Sequence, residues 1–309
     1  MALTLEQAAV MSTNKIVKGI TMEILKESPM LVRLPFLPLS GNALQITREK
    51  ATGQPTVSFR QVGGVWTEST GEVDTTTAVL KILGGDADVD NFLKQTLSNE
   101  HDQMAVQLKM KSKAMAHEWE QTMIYGTATG TNEFDGLHAL MPATQEIPLA
   151  TAAVGAPLTT NALDRLIDSI LGGKPDIILM NKAIRRRLSK YLRGVGSYQT
   201  DRDKYGNYFV MWNEVPILVS DWLLQTETVA NNIYSAPTGG ATSSIFAIRF
   251  GEGDGLVGIQ NGGITTEVFP KLETKDASRV RIKWYCGTAL FQTTAIACIT
   301  GVTDADMSA

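Results

Sequence analysis

Between Asn91 and Tyr125 the apolar positions recur with the period of a helix. Placing residues 100° apart puts Leu93, Leu97, Met104, Leu108, Met115 and Trp119 within an arc of about 80°. The opposite side carries Asp102, Lys109, Lys113 and Glu120. At ~1.5 Å per residue such a helix is on the order of 50 Å long, a beam with one apolar edge. Residues 4–27 read as a short amphipathic helix. The stretch "SPMLVRLPFLPL" then sets Pro29, Pro35 and Pro38 among apolar residues. Proline blocks helix and ladder hydrogen bonds, which predicts an extended arm. Its Met30, Leu31, Val32, Leu34, Phe36 and Leu37 need a surface to lie on.

Residues 42–83 are more polar. "PTVSFRQV" alternates as a strand does, with Val57 and Phe59 on one face and Thr56, Ser58 and Arg60 on the other. "TTTAVLKIL" (75–83) predicts a second strand. Between them "GGVWTESTGEVD" is polar apart from Val65, Trp66 and Val73. Two strands with so little apolar surface are marginal alone, so contacts from outside the segment are expected to complete them.

Past the long helix, "IYGTATGTNEFDGL" (124–137) is a glycine-rich turn that either cradles a phosphate or reverses the chain. "TTNALDRLIDSIL" follows as a helix opened by cap-type Thr and Asn, with Asp164 in its first turn. "PDIILMN" reads as a fully apolar strand and "KAIRRRLSKYLR" as a basic helix. "DKYGNYFVMW" contains a turn at Gly206, and "VPILVS" is another buried strand. This order suggests a compact α/β subdomain over roughly residues 150–245. "SSIFAIRF", "GLVGIQ", "ITTEVFP", "SRVRIKWYC" and "GTALFQTTAIACITGV" then form a run of strands, separated by Gly, Asn and a charged "KLETKDAS" turn. No repeat with a period of 20 to 50 residues is present.

Composition narrows the class. A chain of 309 residues holds one large or two ordinary domains. With 43% hydrophobic and 19% charged residues it groups with soluble globular proteins. A net charge of −4 gives no global pull toward nucleic acid or an anionic membrane. Cys286 and Cys298 are expected as reduced, buried thiols. The N-terminus lacks a secretory pattern and no apolar run nears the ~20 residues of a membrane helix, so a cytoplasmic protein is expected.

Candidate chemistry is sparse. "GDGLVG" (253–258) has dinucleotide-type glycine spacing, but strand and turn follow it instead of the helix that would hold a pyrophosphate. "GGKPD" (172–176) is a helix stop. "DADVDN" (86–91) starts like a calcium loop but has Asn91 and Leu97 where Gly and Glu belong, and reads as a turn capping the long helix. His101 and His117 lie about 160° apart on one helix, and "HEWEQ" has Gln121 in place of a second zinc-protease histidine. No G-x-S-x-G elbow occurs, neither cysteine has a nearby histidine, and Glu118 and Glu120 point to different faces. No catalytic, cofactor-binding or metal-binding residue is assigned. The cluster "RRRLSKYLR" (185–193) reads as a solvated helix face or a partner for acidic surfaces.

The order of these parts carries a resemblance. "VWTESTGEVDTTTAVLKI" (65–82), "IYGTATGTNEFDGL", "DIILMN…DKYGNYFVMWNEVPILVS" and "ETKDASRVRIKWYCGTALFQTTAIACI" follow one another as the corresponding parts do in the major capsid proteins of tailed bacteriophages. The chain resembles that family, with its Hong Kong ninety-seven-like fold shared by encapsulin shells, from about residue 30 to 303. The resemblance implies an α+β fold: an N-terminal arm (1–41), an extended loop (42–83), a peripheral domain (84–149 and 246–303) with a spine helix at 91–125, an axial α/β domain (150–245) and a C-terminal tail (304–309). It makes Gly126, Gly130 and Gly136 the exit from the spine helix.

The resemblance also implies a structural role. The expected subunit forms pentamers and hexamers in the icosahedral head of a double-stranded DNA phage, assembled in the host bacterial cytoplasm; the alternative is an encapsulin shell. The extended loop would cross a neighbouring subunit and the arm would run along others. That marks Leu34, Phe36, Arg60, Trp66, Glu68 and Glu72 as expected subunit-interface residues. Further copies of the chain, scaffolding, portal and decoration proteins are the expected partners. Packaged DNA is expected to be bound without sequence specificity, and no membrane is expected. The chain starts almost at the arm, so scaffolding is expected to be separate or removed. Ser69 and Val280 stand where some members carry cross-linking Lys and Asn, so covalent cross-linking is not expected.

Overall fold

The computed structural model describes residues 3–4, 20, 23–24, 28–49, 55–92, 103–149, 155–196, 200–202, 208–227 and 242–307. The early strands are β1 (Leu3–Thr4), β2 (Pro35–Pro38), β3 (Ala43–Glu49), β4 (Val73–Val79) and β5 (Lys81–Asp90). Then come β6 (Glu146–Pro148), β7 (Ile177–Met180), β8 (Thr200–Arg202), β9 (Tyr208–Trp212) and β10 (Val215–Val219). The last are β11 (Thr242–Ile248), β12 (Leu256–Phe269), β13 (Ala277–Leu290) and β14 (Ile296–Thr303). Helices are α1 (Pro29–Arg33), α2 (Gln103–Tyr125), α3 (Leu137–Leu140), α4 (Thr160–Asp168) and α5 (Lys182–Val195).

Among the described residues the strands form three sheets, ordered β1-β2-β12-β13-β5, β6-β14-β11-β7-β10-β9-β8 and β3-β4. This mixture of helix and sheet is the α+β class expected. β12 and β13 pair antiparallel over nearly their whole length, and the register shifts only between Asn261 and Ile264. Gly262 and Gly263 sit there with φ of +72°, which glycine adopts without a Cβ penalty. "GLVGIQ" and "ITTEVFP", expected as separate strands, are therefore one strand with a bulge. Gly253 has φ +95° and the strand β12 follows it, so the "GDGLVG" glycines shape a turn.

α2 lays its apolar edge on the five-stranded sheet. Met115, Trp119 and Met123 are buried together with Phe36, Ile282 and Trp284. Trp119 stacks on Trp284 at 6.2 Å between centroids. Met104 and Leu108 are half-buried on the same side, while Leu93, Leu97, His101 and Asp102 lie outside the described residues. Glu120 departs from the expected polar face. It is buried, and Ser220 Oγ donates to its Oε1 at 2.6 Å. The side opposite the apolar edge is also covered, because Ser220, just past the end of β10, meets Glu120 there.

The segment expected as an extended arm is not uniformly extended. Pro29 opens the short helix α1, where a missing N–H costs nothing. Pro35 and Pro38 occupy the two ends of β2, which pairs with β1 and β12. Thr4 belongs to β1 and Ile20 and Ile24 are helical and buried, but most of the expected helix at 4–27 lies outside the described residues.

The seven-stranded sheet is the core of the other half. β7 is buried along its length and pairs parallel with β10 and antiparallel with β11. α4 and α5 cover it with Leu163, Leu166, Ile184 and Leu188. Both helices start as their sequences suggest. Ala162 N donates to Thr159 Oγ1 at 3.1 Å and Ala183 N to Asn181 Oδ1 at 2.9 Å. α5 ends at Gly196 with φ +74°. The expected turn at Gly206 lies outside the described residues.

Candidate assembly interface

β3 and β4 form an antiparallel hairpin running from Ala43↔Val79 to Glu49↔Val73. Its base is tied down. Ile46 is buried with Val257, Ile259 and Ala289, and Leu44, Ala78 and Leu80 pack around them. Beyond the hairpin, residues 55–72 contain no strand and every one of them is exposed. Phe59 and Val62 are 107% exposed and Val57 is 91%. The alternation in "PTVSFRQV" thus makes no strand, because neither of its faces finds a surface within the chain. "TTTAVLKIL" is also divided. The chain changes partners at Leu80, whose N–H bonds Asn42 O at 2.8 Å, and β5 joins β13.

The structure brings Arg60 and Trp66 together. A turn closed by Gly64 N to Gln61 O at 3.0 Å, with Gly63 at φ +86°, reverses the chain between them. The Arg60 guanidinium lies 4.2 Å from the centroid of the Trp66 ring and also donates to Gly64 O at 2.6 Å. Trp66 Nε1 donates to Ser58 O at 3.0 Å. Ser69 Oγ accepts from Thr56 N at 2.7 Å. Glu68 and Glu72 stand exposed on the return. Leu34 and Phe36 are elsewhere: both are 0% exposed inside this chain's own core, so they offer no side-chain surface to a neighbour. The expectation for those two residues is corrected. Their apolar partners come from α2 and the β12–β13 pair, which sequence spacing does not reveal.

A ladder of ion pairs marks the outer face of the five-stranded sheet. Arg281 is bidentate to Asp86 at 2.7 and 2.8 Å, and Arg279 to Asp88 at 2.6 and 2.9 Å. Lys275 reaches Asp88 at 2.6 Å, and Lys283 pairs with Glu267. The hydrogen bond from Arg279, and then that from Lys275, holds the Asp88 carboxyl far below the usual carboxylate range. Asp86 is lowered by the hydrogen bond from Arg281. "DADVDN" is therefore strand, with Ala87 and Val89 turned to the core. Only Asp90 keeps the expected role, accepting from Phe92 N at 2.8 Å.

Inside, a polar cluster joins the end of α2 to the second half of the chain, and no sequence motif announced it. Tyr125 donates to Glu227 Oε1 at 2.8 Å and accepts from Leu224 N at 3.0 Å. Ser244 Oγ donates to Glu227 Oε2 at 2.6 Å. The His138 ring stacks on Tyr125 at 5.2 Å. Burial, and then the nearby Glu227 charge, pushes the Tyr125 hydroxyl pKa well up. Cys286 and Cys298 are buried free thiols, as expected. Among the described residues no group of His, Cys, Asp and Glu is placed to hold a metal ion.

The glycine turn now has its geometry. Gly126 N bonds Thr122 O at 2.7 Å and Gly136 N bonds Gly126 O at 2.8 Å, closing the loop at its base. A Cβ at either position would lie 2.5 Å from Thr122 O. The glycines let the backbone double back against the end of α2.

A family model described as SU10 major capsid protein matches residues 14–233. The chain belongs to the SU10 major capsid protein family. It is a major capsid protein, a component of the virion shell, and copies of it assemble with one another into that shell. Solved structures agree in fold. An encapsulin complex from Synechococcus elongatus PCC 7942 is similar at TM-score 0.69 and 18% identity, over 100% of this chain and 99% of that one. The capsid of a native GTA particle is similar at 0.59 and 14%, over 91% and 90%. A Mycobacterium phage Bobi structure is similar at 0.57 and 12%, over 90% and 89%. At these identities they show the shared fold, and the family match supports the capsid reading over the encapsulin one. No curated protein sequence matches the chain. Among the described residues no helix of this capsid protein is long and apolar enough to cross a membrane.

The basic helix of the capsid protein has its acidic partner within the chain. Arg186 and Arg187 reach Asp304 at 2.9 and 2.7 Å, and Arg187 and Lys190 reach Asp306 at 2.8 and 2.7 Å. The C-terminal residues are thereby clasped to α5.

Proposed function

We propose that this capsid protein forms pentamers and hexamers of an icosahedral, tailed-phage head around double-stranded DNA, with a purely structural role. The divisions at 1–41, 42–83, 84–149 with 246–303, 150–245 and 304–309 serve as arm, extended loop, peripheral domain, axial domain and tail. One observation supports the reading above others: residues 55–72 project Val57, Phe59, Val62, Val65 and Trp66 into solvent with no covering surface of their own. Monomeric proteins rarely expose so contiguous an apolar patch. A neighbouring copy covers it in the shell, with Arg60 and Trp66 as the anchor and Glu68 and Glu72 at the rim.

Many interfaces of the standard ~1,600 Å² class then sum to a large assembly free energy. Scaffolding, portal and decoration proteins, and DNA held without sequence reading, are the further partners. Cohesion is non-covalent. The Ser69 hydroxyl bonds Thr56, and Val280 is a buried aliphatic side chain, so neither supplies an isopeptide group.

Negative-stain electron microscopy and limited proteolysis of the expressed chain test this. Closed shells in which 55–72 resists protease, while dissociated subunits are cut there, are expected. Equal cleavage in shells and subunits would sink the hairpin's role, and a monodisperse monomer would sink the assembly itself.

A further inference from the structure

A cationic groove of about 390 Å³ runs along α5, lined by Lys182, Arg185, Arg186, Ser189 and Arg193, with Gln225 across it. Lys182 is engaged by Asp221 at 2.5 Å and Arg186 by Asp304 at 2.9 Å. Among the described residues no carboxylate lies within ion-pair reach of Arg185, and its Nε is buried without a hydrogen-bond partner. Ser189, one turn on, is 3% exposed, and its Oγ also lacks a partner. Buried donors left unmade cost free energy, and two adjoining ones in a cationic groove indicate an absent acceptor. Arg193 is steadied on the same face, its Nε donating to Ser189 O at 3.0 Å.

The groove's dimensions and chemistry select the acceptor. From Lys182 to Arg193 the helix rises about 16 Å, several times the ~3.4 Å of axis per phosphate along one strand of a duplex. The guanidinium forks of Arg185 and, two turns on, Arg193 match tetrahedral oxyanions, and the first turn of α5 adds the positive end of the helix dipole. We propose that this groove binds consecutive phosphates of a nucleic-acid strand, with Arg185 as the central ligand and Lys182 and Arg193 flanking it. Asp304 acts as a built-in competitor, because its carboxylate holds Arg186 where a phosphate oxygen would. The proposal deepens the reading that the shell encloses DNA. It is measured on unassembled protein, so it can fail while that reading stands.

Binding of a short blunt DNA duplex of arbitrary sequence is followed across a salt series on the full chain, with inorganic phosphate as a separate probe. Arg185→Gln and Arg193→Gln should each weaken duplex binding several-fold. Each should also lower the slope of log affinity against log salt by about 0.9. Arg185→Lys should restore the slope but not the full affinity, and Asp304→Asn should tighten binding. Arg48→Gln, on the distant hairpin, should change neither. Identical affinity and slope for the parent and Arg185→Gln would overturn the site. Saturable phosphate binding without duplex binding would overturn its assignment to a nucleic-acid strand.

Discussion

Phe36 packs its ring against the backbone of Gly258, its register partner between β2 and β12, so closely that a Cβ at 258 would lie 2.5 Å from the ring. The same ring is 5.5 Å from Trp284 and 6.4 Å from Trp119. One missing methyl thus lets the N-terminal segment close against the sheet and the long helix together. Gly258→Ala should displace the ring and destabilise the unassembled protein by about 1–3 kcal/mol, the usual cost of overpacking. Adding Phe36→Leu should recover part of that loss, since contacting sites are not additive. Chemical denaturation checks both; a Gly258→Ala midpoint equal to that of the parent would refute the close contact.

Trp66 is stacked by Arg60 but remains 59% exposed. Trp66→Ala should therefore change subunit stability by no more than about 0.5 kcal/mol, as exposed substitutions usually do. Shells should nevertheless form in lower yield and dissociate at lower denaturant concentration. Light scattering of shells beside melting of subunits separates the two effects. Unchanged shells would remove Trp66 as an anchor.

Tyr125→Phe keeps the ring beside His138 but deletes the hydroxyl that serves both Glu227 and Leu224 N. The buried Glu227 carboxylate and the exposed Leu224 N–H each lose a partner, so a loss of about 1–2 kcal/mol, mostly from Glu227, is expected in equilibrium denaturation. Near-parental stability would mean that other groups satisfy Glu227.

The ion-pair ladder sets an acid limit. Asp88 is ionised in the fold at pH values where it would be protonated in the unfolded chain. The native state then binds fewer protons, and the stabilisation is fully present above the ordinary carboxylate value of about 4. It is lost as pH falls through the lowered native value. Asp88→Asn should flatten the acid limb of a stability-against-pH curve; an unchanged limb would show that the pair contributes nothing.

Glu120 has the opposite sign. Burial raises its carboxyl above the ordinary 4.5, so just above that value the native state holds a proton the unfolded chain has released. Stability therefore falls as pH rises through that window. Glu120→Gln keeps an amide beside Ser220, and should abolish this slope and stabilise the protein at neutral pH. A melting series across mildly acid to neutral pH checks it.

Local patterns were sufficient for elements whose environment is set by near neighbours in the chain. The apolar run Ile177–Met180, the threonine cap that opens α4, the basic helix that follows β7 and the Met115–Trp119 edge of the long helix all read correctly, because each depends on period, dihedral preference or a bond within a few residues. The resemblance to phage capsid proteins was legible as well, since it lay in the order of such parts.

What tertiary structure alone decided was the choice of partner. Asp86 and Asp88 became strand residues because Arg281 and Arg279, far along the chain, face them across β5 and β13. Phe36 is buried within the chain because Trp284 and Trp119 pack on its ring, and Leu34 is buried in the same cluster. Glu120 and Tyr125 gained partners from Ser220 and Glu227, about a hundred positions downstream. Residues 55–62 carry a strand's alternation yet form none. Alternation records which side chains would be buried, and burial requires a second surface that only the folded chain, or a neighbouring copy, can provide.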